Sequence, residues 1–143
     1  MKSNDCYYIN IKSNIESDGN LLVVENNSTQ IPFDIQRIFW IRDIKPGATR
    51  GNHANKKTNI VLIAISGSCD VVVNNGKKEV IYHLDSPEQG LYIKNMLWRT
   101  IKNCSKDCIL EAVCDRKYSA TDEAFDDFDE YLKALNSIKS EHL

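Results

Sequence analysis

Histidine is scarce in this chain: His53, His83 and His142 are the only three in 143 residues. That scarcity limits metal chemistry from the start. The five cysteines, Cys6, Cys69, Cys104, Cys108 and Cys114, include no CxxC pair. Cys104 and Cys108 come nearest, and a tetrahedral zinc site would need two further ligands from a small supply. Free, buried thiols in a reducing compartment are the plain reading. Long apolar runs are also missing. Nothing approaches the ~20 consecutive apolar residues that span a bilayer, and the opening "MKSNDCYYIN" lacks the apolar core of a secretion leader. A cytoplasmic protein with no membrane partner is expected. No charge of one sign dominates either: a formal net charge of -2 provides no electrostatic ground for nucleic acid or an acidic membrane as partner. The pairs Lys56–Lys57 and Lys77–Lys78 sit beside turn signals and read as solvated loops rather than phosphate binders.

What is present is an ordinary soluble composition, 42% apolar and 27% charged, which suits one domain over residues 1–143. Short runs rich in Val, Ile and aromatic residues alternate with Gly, Asn and Pro: "NLLVVE", "IQRIFWIRDI", "NIVLIAISGS", "CDVVVNN", "KEVIYHL", "GLYIKN", "LWRTIKN" and "CILEAVC". This is an all-β pattern, and "NNGKK" carries the Asn-Gly signal of a hairpin. Many short antiparallel strands predict a sandwich or a jelly-roll barrel over about 19–115. Beyond it, Phe125, Phe128, Leu132 and Leu135 recur at helical spacing. A short C-terminal α-helix over about 121–138 is expected, with Asp122, Glu123 and Asp126 suiting its N-terminus.

The stretch "GATRGNHANKKTNIVLIAISG" resembles the first motif of the cupin jelly-roll barrels, in which two histidines and a glutamate bind metal. Gly47, His53 and Gly67 fall into register, but Asn55 stands at the second histidine position and Ile60 at the glutamate position. In "LWRTIKN", Arg99 occupies the position of the remaining histidine ligand. Three of four ligand positions are thus unsuited to a metal, and no metal is expected. A barrel interior without metal is still a concave site. Strand alternation puts His53 and Asn55 on one face, and Arg50, Arg99, Arg37 and Tyr92 complete the polar set expected to point inward. Arg37 and Arg42 lie on opposite faces of their strand, so one of them is solvated. Arg37 and Arg50 serve either a structural ion pair or a diphosphate. Trp98 is core or ligand stacker, and His83 is structural.

Taken together, "GNLLVVENNSTQIPFDIQRIFWI", "RGNHANKK", "ISGSCDVVVNNG", "LDSPEQGLYI", "LWRTI" and "FDDFDEYLKAL" resemble the dTDP-4-keto-6-deoxyglucose 3,4-ketoisomerases, non-metal cupins, over about Gly19 to Leu135. The resemblance implies a homodimer with strand exchange. It also implies a dTDP-linked 4-keto-6-deoxy sugar as substrate, no cofactor, and a place in deoxyaminosugar biosynthesis for surface glycans such as the O-antigen of lipopolysaccharide. His53 matches the first histidine of the family's Arg-Gly-x-His-x-His-Lys pattern, and Asn55 departs from the second. Asp18, before Gly19, is atypical.

The chemistry suits one histidine. The C3 proton of a 4-keto sugar is acidified by the neighbouring carbonyl, so a base that removes it forms an enediol, and return of the proton at C4 leaves the ketone at C3. A histidine near its ordinary pKa of ~6.5 does this at neutral pH. His53 is therefore the expected base and Arg99 the expected stabiliser of the enediolate oxygen. Arg37, Arg50, Asn55, Tyr92 and Trp98 are the expected substrate contacts. Two other classes stay open: a nucleotide-sugar-binding module without turnover, and a sugar-nucleotide epimerase that would need a His–Asp pair and an acid tyrosine, for which Asp43, Asp70 and Tyr92 are candidates.

Overall fold

In the computed structural model, which describes residues 2, 4–121 and 123–141, two five-stranded antiparallel sheets face each other. One has the order β1 (Cys6–Asn10), β9 (Gln89–Ile93), β6 (Ile60–Ser66), β11 (Ile109–Cys114), β4 (Arg37–Ile41). The other runs β12 (Ala124–Phe125), β5 (Arg50–Asn55), β10 (Trp98–Lys102), β7 (Cys69–Asn74), β8 (Glu79–Leu84). The crossed strand order, with antiparallel pairing throughout, is the expected cupin jelly roll. Asp122, assigned to the helix start, and His142 lie outside the described residues.

Period-two patterning explains the core. In β10, Arg99 and Ile101 are buried while Trp98, Thr100 and Lys102 are half-buried on the other face. Leu62, Leu91, Ile93, Leu110 and Ala112 of the first sheet meet Val71, Val73, Leu84 and Ile101 of the second in one cluster. Each large aliphatic side chain so buried contributes roughly 1.5–3 kcal/mol. The central strand β6 reads apolar on both faces because its outer residues Val61 and Ile63 are covered too, by Ile9, Ile11, Ile31 and Val113.

Two boundaries differ from expectation. The first sheet begins at Cys6 rather than near Gly19, since β1 pairs with β9, and β2 (Lys12–Glu16) forms a separate hairpin with β3 (Gly19–Val23). The helix α1 starts at Phe128, not Thr121. Asp127 stops it there: its Oδ1 accepts from the Glu130 N–H at 3.0 Å, a capping bond. Ala124 and Phe125 instead pair with the free edge of β5. The helix docks through Tyr131, fully buried, whose hydroxyl reaches the carbonyls of Asn74 and Met96. Gly76 in the β7–β8 turn has φ +92, and a Cβ there would lie 2.7 Å from Leu135, so glycine is needed for both the turn and the helix above it.

Candidate active site

A β-bulge builds the centre of the site. In the β5–β10 pair, Arg99 faces His53 and Thr100 faces Gly51, leaving Asn52 as the extra residue. Gly51 and Asn52 both have positive φ, +80 and 56. A Cβ on Gly51 would meet the Arg99 carbonyl oxygen at 3.1 Å. Asn52 is held from both sides: its Oδ1 accepts from Thr100 Oγ1 and its amide donates to Thr49 Oγ1, each at 3.1 Å. Bulges re-aim side chains. Here the kink lets the Gly51 carbonyl turn back on the strand and meet Nδ1 of His53 at 3.0 Å.

That contact defines the tautomer. With Nδ1–H donating to Gly51, Nε2 carries the lone pair, and the Arg99 guanidinium donates to it at 3.0 Å. Burial, and then the neighbouring Arg99 charge, lower the His53 pKa below its ordinary value of 6.5. The ring is neutral at pH 7 and able to accept a proton. Arg99 is itself buried, which draws it down to about 10, still a cation at neutral pH. Among the described residues no carboxylate pairs with it.

Across the cleft, Arg37 of β4 has a carboxylate: its Nη2 meets Glu123 Oε1 at 2.6 Å. Its guanidinium also lies over the rings of Phe39 and Tyr118, 5.7 and 5.8 Å from their centroids. Arg37 Nε is buried and has no hydrogen-bond partner among the described residues. Two guanidinium groups, Arg37 and Arg99, share this wall with two carboxylates, Glu123 and Asp126, and Arg99, with no paired carboxylate among the described residues, is the donor placed for a developing oxyanion. The cleft is about 500 Å³, and His53, Asn55, Arg99, Arg37, Glu123 and Asp126 line it.

Arg37, His53, Asn55 and Arg99 are thus brought together as expected, and Arg42 is exposed beside Asp43. Asn55 is buried, its amide 3.5 Å from the Thr58 carbonyl. The other expected contacts lie elsewhere. Arg50 lines a smaller adjoining cavity of about 200 Å³ that shares Phe39, His53 and Arg99 with the cleft. Trp98 follows the opposite parity to Arg99 and packs under the helix, 5.7 Å from the Tyr131 ring. Tyr92 faces the outer layer, stacked on Tyr7 at 4.8 Å. Glu123, Tyr118, Phe39 and Asp126 were not foreseen. The epimerase constellation does not assemble: Asp70 pairs with His83 at 2.7 Å on an exposed part of the β7–β8 pair, and the Nδ1 partner of His53 is a backbone carbonyl.

Comparison with known proteins places the fold and the family. Residues 4–136 match the family model described as FdtA: WxcM-like, C-terminal. A TDP-4-oxo-6-deoxy-alpha-D-glucose-3,4-oxoisomerase of Aneurinibacillus thermoaerophilus is 37% identical over 133 residues, 92% of this chain and 95% of that one. Among solved structures, a 3,4-ketoisomerase from Helicobacter canadensis has a TM-score of 0.88 at 35% identity, covering 92% and 98% of the two chains. QdtA, a sugar 3,4-ketoisomerase from Thermoanaerobacterium thermosaccharolyticum solved with TDP, has a TM-score of 0.89 at 29% identity, covering 95% and 98%. A variant of that same enzyme was solved with TDP-4-keto-6-deoxyglucose.

Proposed function

The chain belongs to the FdtA family of sugar 3,4-ketoisomerases, and from that premise we propose that its cleft takes a TDP-linked 4-keto-6-deoxyhexose and moves the ketone from C4 to C3. The observation that carries this reading is the His53–Arg99 pair: a neutral imidazole with one nitrogen tied to backbone and the other hydrogen-bonded to a buried cation. The same guanidinium N–H, directed at the C4 carbonyl oxygen of a bound sugar, frees the Nε2 lone pair and polarises the carbonyl. His53 Nε2 then takes the C3 proton, Arg99 stabilises the charge that moves to O4, and the imidazolium returns its proton to C4. No electrons leave the sugar, so the step needs no redox partner. Asn55 orients hydroxyls and does not move protons. Arg37, which lines the cleft, and Arg50, which lines the adjoining cavity, are the cations assigned to the diphosphate.

Assembly and setting follow from the same reading. The β2–β3 hairpin pairs with no other strand among the described residues and exposes Ile15 and Leu21. A two-stranded hairpin is marginal alone, and exchange across a two-fold axis in a homodimer would cover it. β1, by contrast, is already paired within its own sheet. A 3-keto sugar is poised for amination at C3, which supports a place in deoxyaminosugar synthesis for surface glycans, including O-antigen. Free cysteines and a nucleotide-sugar substrate support a cytoplasmic site.

The test is turnover of dTDP-4-keto-6-deoxyglucose with product identified by NMR. A 3-keto product supports the proposal, whereas an inverted 4-keto sugar would favour an epimerase and unchanged substrate with measurable binding a carrier. In the same assay His53→Asn should keep affinity for TDP within a few-fold while turnover falls by roughly 10²-fold or more.

A further inference from the structure

A 3,4-ketoisomerase must move two protons, one from C3 to C4 and one from the C3 hydroxyl to the C4 oxygen. His53 has one working nitrogen, because Nδ1 is committed to the Gly51 carbonyl. The oxygen-to-oxygen transfer therefore needs a second group that accepts and returns a proton. Most of the cleft wall is unsuited. The Asn55 amide and the guanidinium groups of Arg37 and Arg99 are not proton acceptors. Glu123 is spoken for, with Oε1 on Arg37 at 2.6 Å and Oε2 near the Ser119 N–H at 3.5 Å. Tyr118 is largely exposed, and its ring lies against the Arg37 guanidinium.

Asp126 remains. The β12–β5 register pairs Ala124 with Asn55 and Phe125 with Ala54; Asp126 follows directly on this pair, and its charge reaches His53. Ala124 and Asp126 both line the cleft. Among the described residues the Asp126 carboxylate makes no hydrogen bond or ion pair, and its charge favours the imidazolium that forms on His53.

We propose that Asp126 is a further catalytic residue, the carboxylate that carries the proton from O3 to O4 while His53 carries the other from C3 to C4; this rests on the ketoisomerase reading. In the balanced sequence, His53 Nε2 takes the C3 proton, the C–H electron pair becomes the C3–C4 double bond, and O4 gains the negative charge. Asp126 accepts the O3 proton and delivers it to O4. The pair on O3 then forms the C3 carbonyl as the imidazolium protonates C4. Both side chains end as they began.

The experiment follows dTDP-4-keto-6-deoxyglucose in D2O with the parent chain, Asp126→Asn and Asp126→Ala. The expected result is a loss of isomerisation of about 10²-fold with KM nearly unchanged. Deuterium exchange at C3 should continue within about threefold of the parent, since His53 still works. Added formate should restore turnover to Asp126→Ala, which a structural role would not allow. Isomerisation in Asp126→Asn within about threefold of the parent overturns the proposal, as does a parallel loss of exchange and isomerisation, which would mean that Asp126 acts only through the basicity of His53. A parent chain that binds the sugar but neither exchanges nor isomerises it overturns the ketoisomerase reading itself.

Discussion

The Arg99 guanidinium donates to Nε2 of His53 at 3.0 Å, so a buried cation rests on the lone pair that must take the substrate proton. The pairing keeps His53 neutral and makes its protonation unfavourable, an effect reinforced by burial. It also pre-aligns a hydrogen-bond donor with the place where the C4 oxygen gains charge.

A pH dependence follows with a definite sign. The folded pKa of His53 is lowered, so the base form persists below the ordinary histidine value of 6.5. The acidic limb of kcat/KM should fall below pH 6.5, activity being lost as pH drops through the lowered pKa. Stability follows the same direction: His53 contributes fully above the unfolded value and loses that contribution as acidification protonates the ring. An acidic limb centred above pH 7 in the parent, and unmoved in Arg99→Met, would refute the assignment of His53.

Arg99 itself should show opposed effects on rate and stability. A buried cation without a carboxylate is costly to hold in the fold. Replacing it with the apolar near-isostere in Arg99→Met should leave Tm unchanged or raised. Turnover should fall by about 10²–10³-fold, the usual loss when one oxyanion donor is removed. Thermal unfolding and steady-state kinetics on the same preparation check both halves, and a drop in Tm matching the lost activity would make Arg99 merely structural.

Much of this was legible in the sequence, and the gaps have physical causes. Strand alternation alone places His53 and Asn55 together, and it also separates Trp98 from Arg99, its immediate neighbour; a stacking role for Trp98 was inconsistent with an inward Arg99. The face of Tyr92 depends on which side of its sheet holds the main core, a tertiary fact absent from the local pattern. The bulge at Asn52 breaks the period of two, and only the Gly51 before it hints at that. Glu123 and Asp126 looked like helix-start acids because helix N-termini favour negative charge. Arg37, the partner of Glu123, and β5, whose pairing with β12 brings Asp126 to the cleft, are distant in the chain and become visible only in the folded structure.

Metal independence can be checked directly. Three cupin ligand positions hold Asn55, Ile60 and Arg99; Ile60 is buried in the apolar core, and the Arg99 guanidinium stands beside His53, the imidazole at the remaining position. Prolonged treatment with EDTA should leave turnover within about twofold of the untreated chain. Elemental analysis should find no stoichiometric transition metal. One metal per chain, with activity lost on chelation and regained on its return, would reverse this expectation.

Asn55→His tests how the proton traffic is divided. The substitution places an imidazole on the same face as His53, at the position where the family pattern has its second histidine. The Asn55 side chain is buried and, among the described residues, holds only a long bond to the Thr58 carbonyl, so a ring there must extend into the cleft. If the oxygen-to-oxygen transfer already belongs to Asp126, a second imidazole adds a redundant carrier, and kcat should change by less than about threefold. KM should rise modestly as the ring takes space from the sugar. The double variant Asn55→His with Asp126→Asn should then recover turnover relative to Asp126→Asn alone, since either group can serve the same two oxygens. A rise in kcat of about tenfold or more from Asn55→His in the parent background would point the other way. It would mean that the oxygen transfer limits the rate for want of a competent group, and that Asp126 does not perform it.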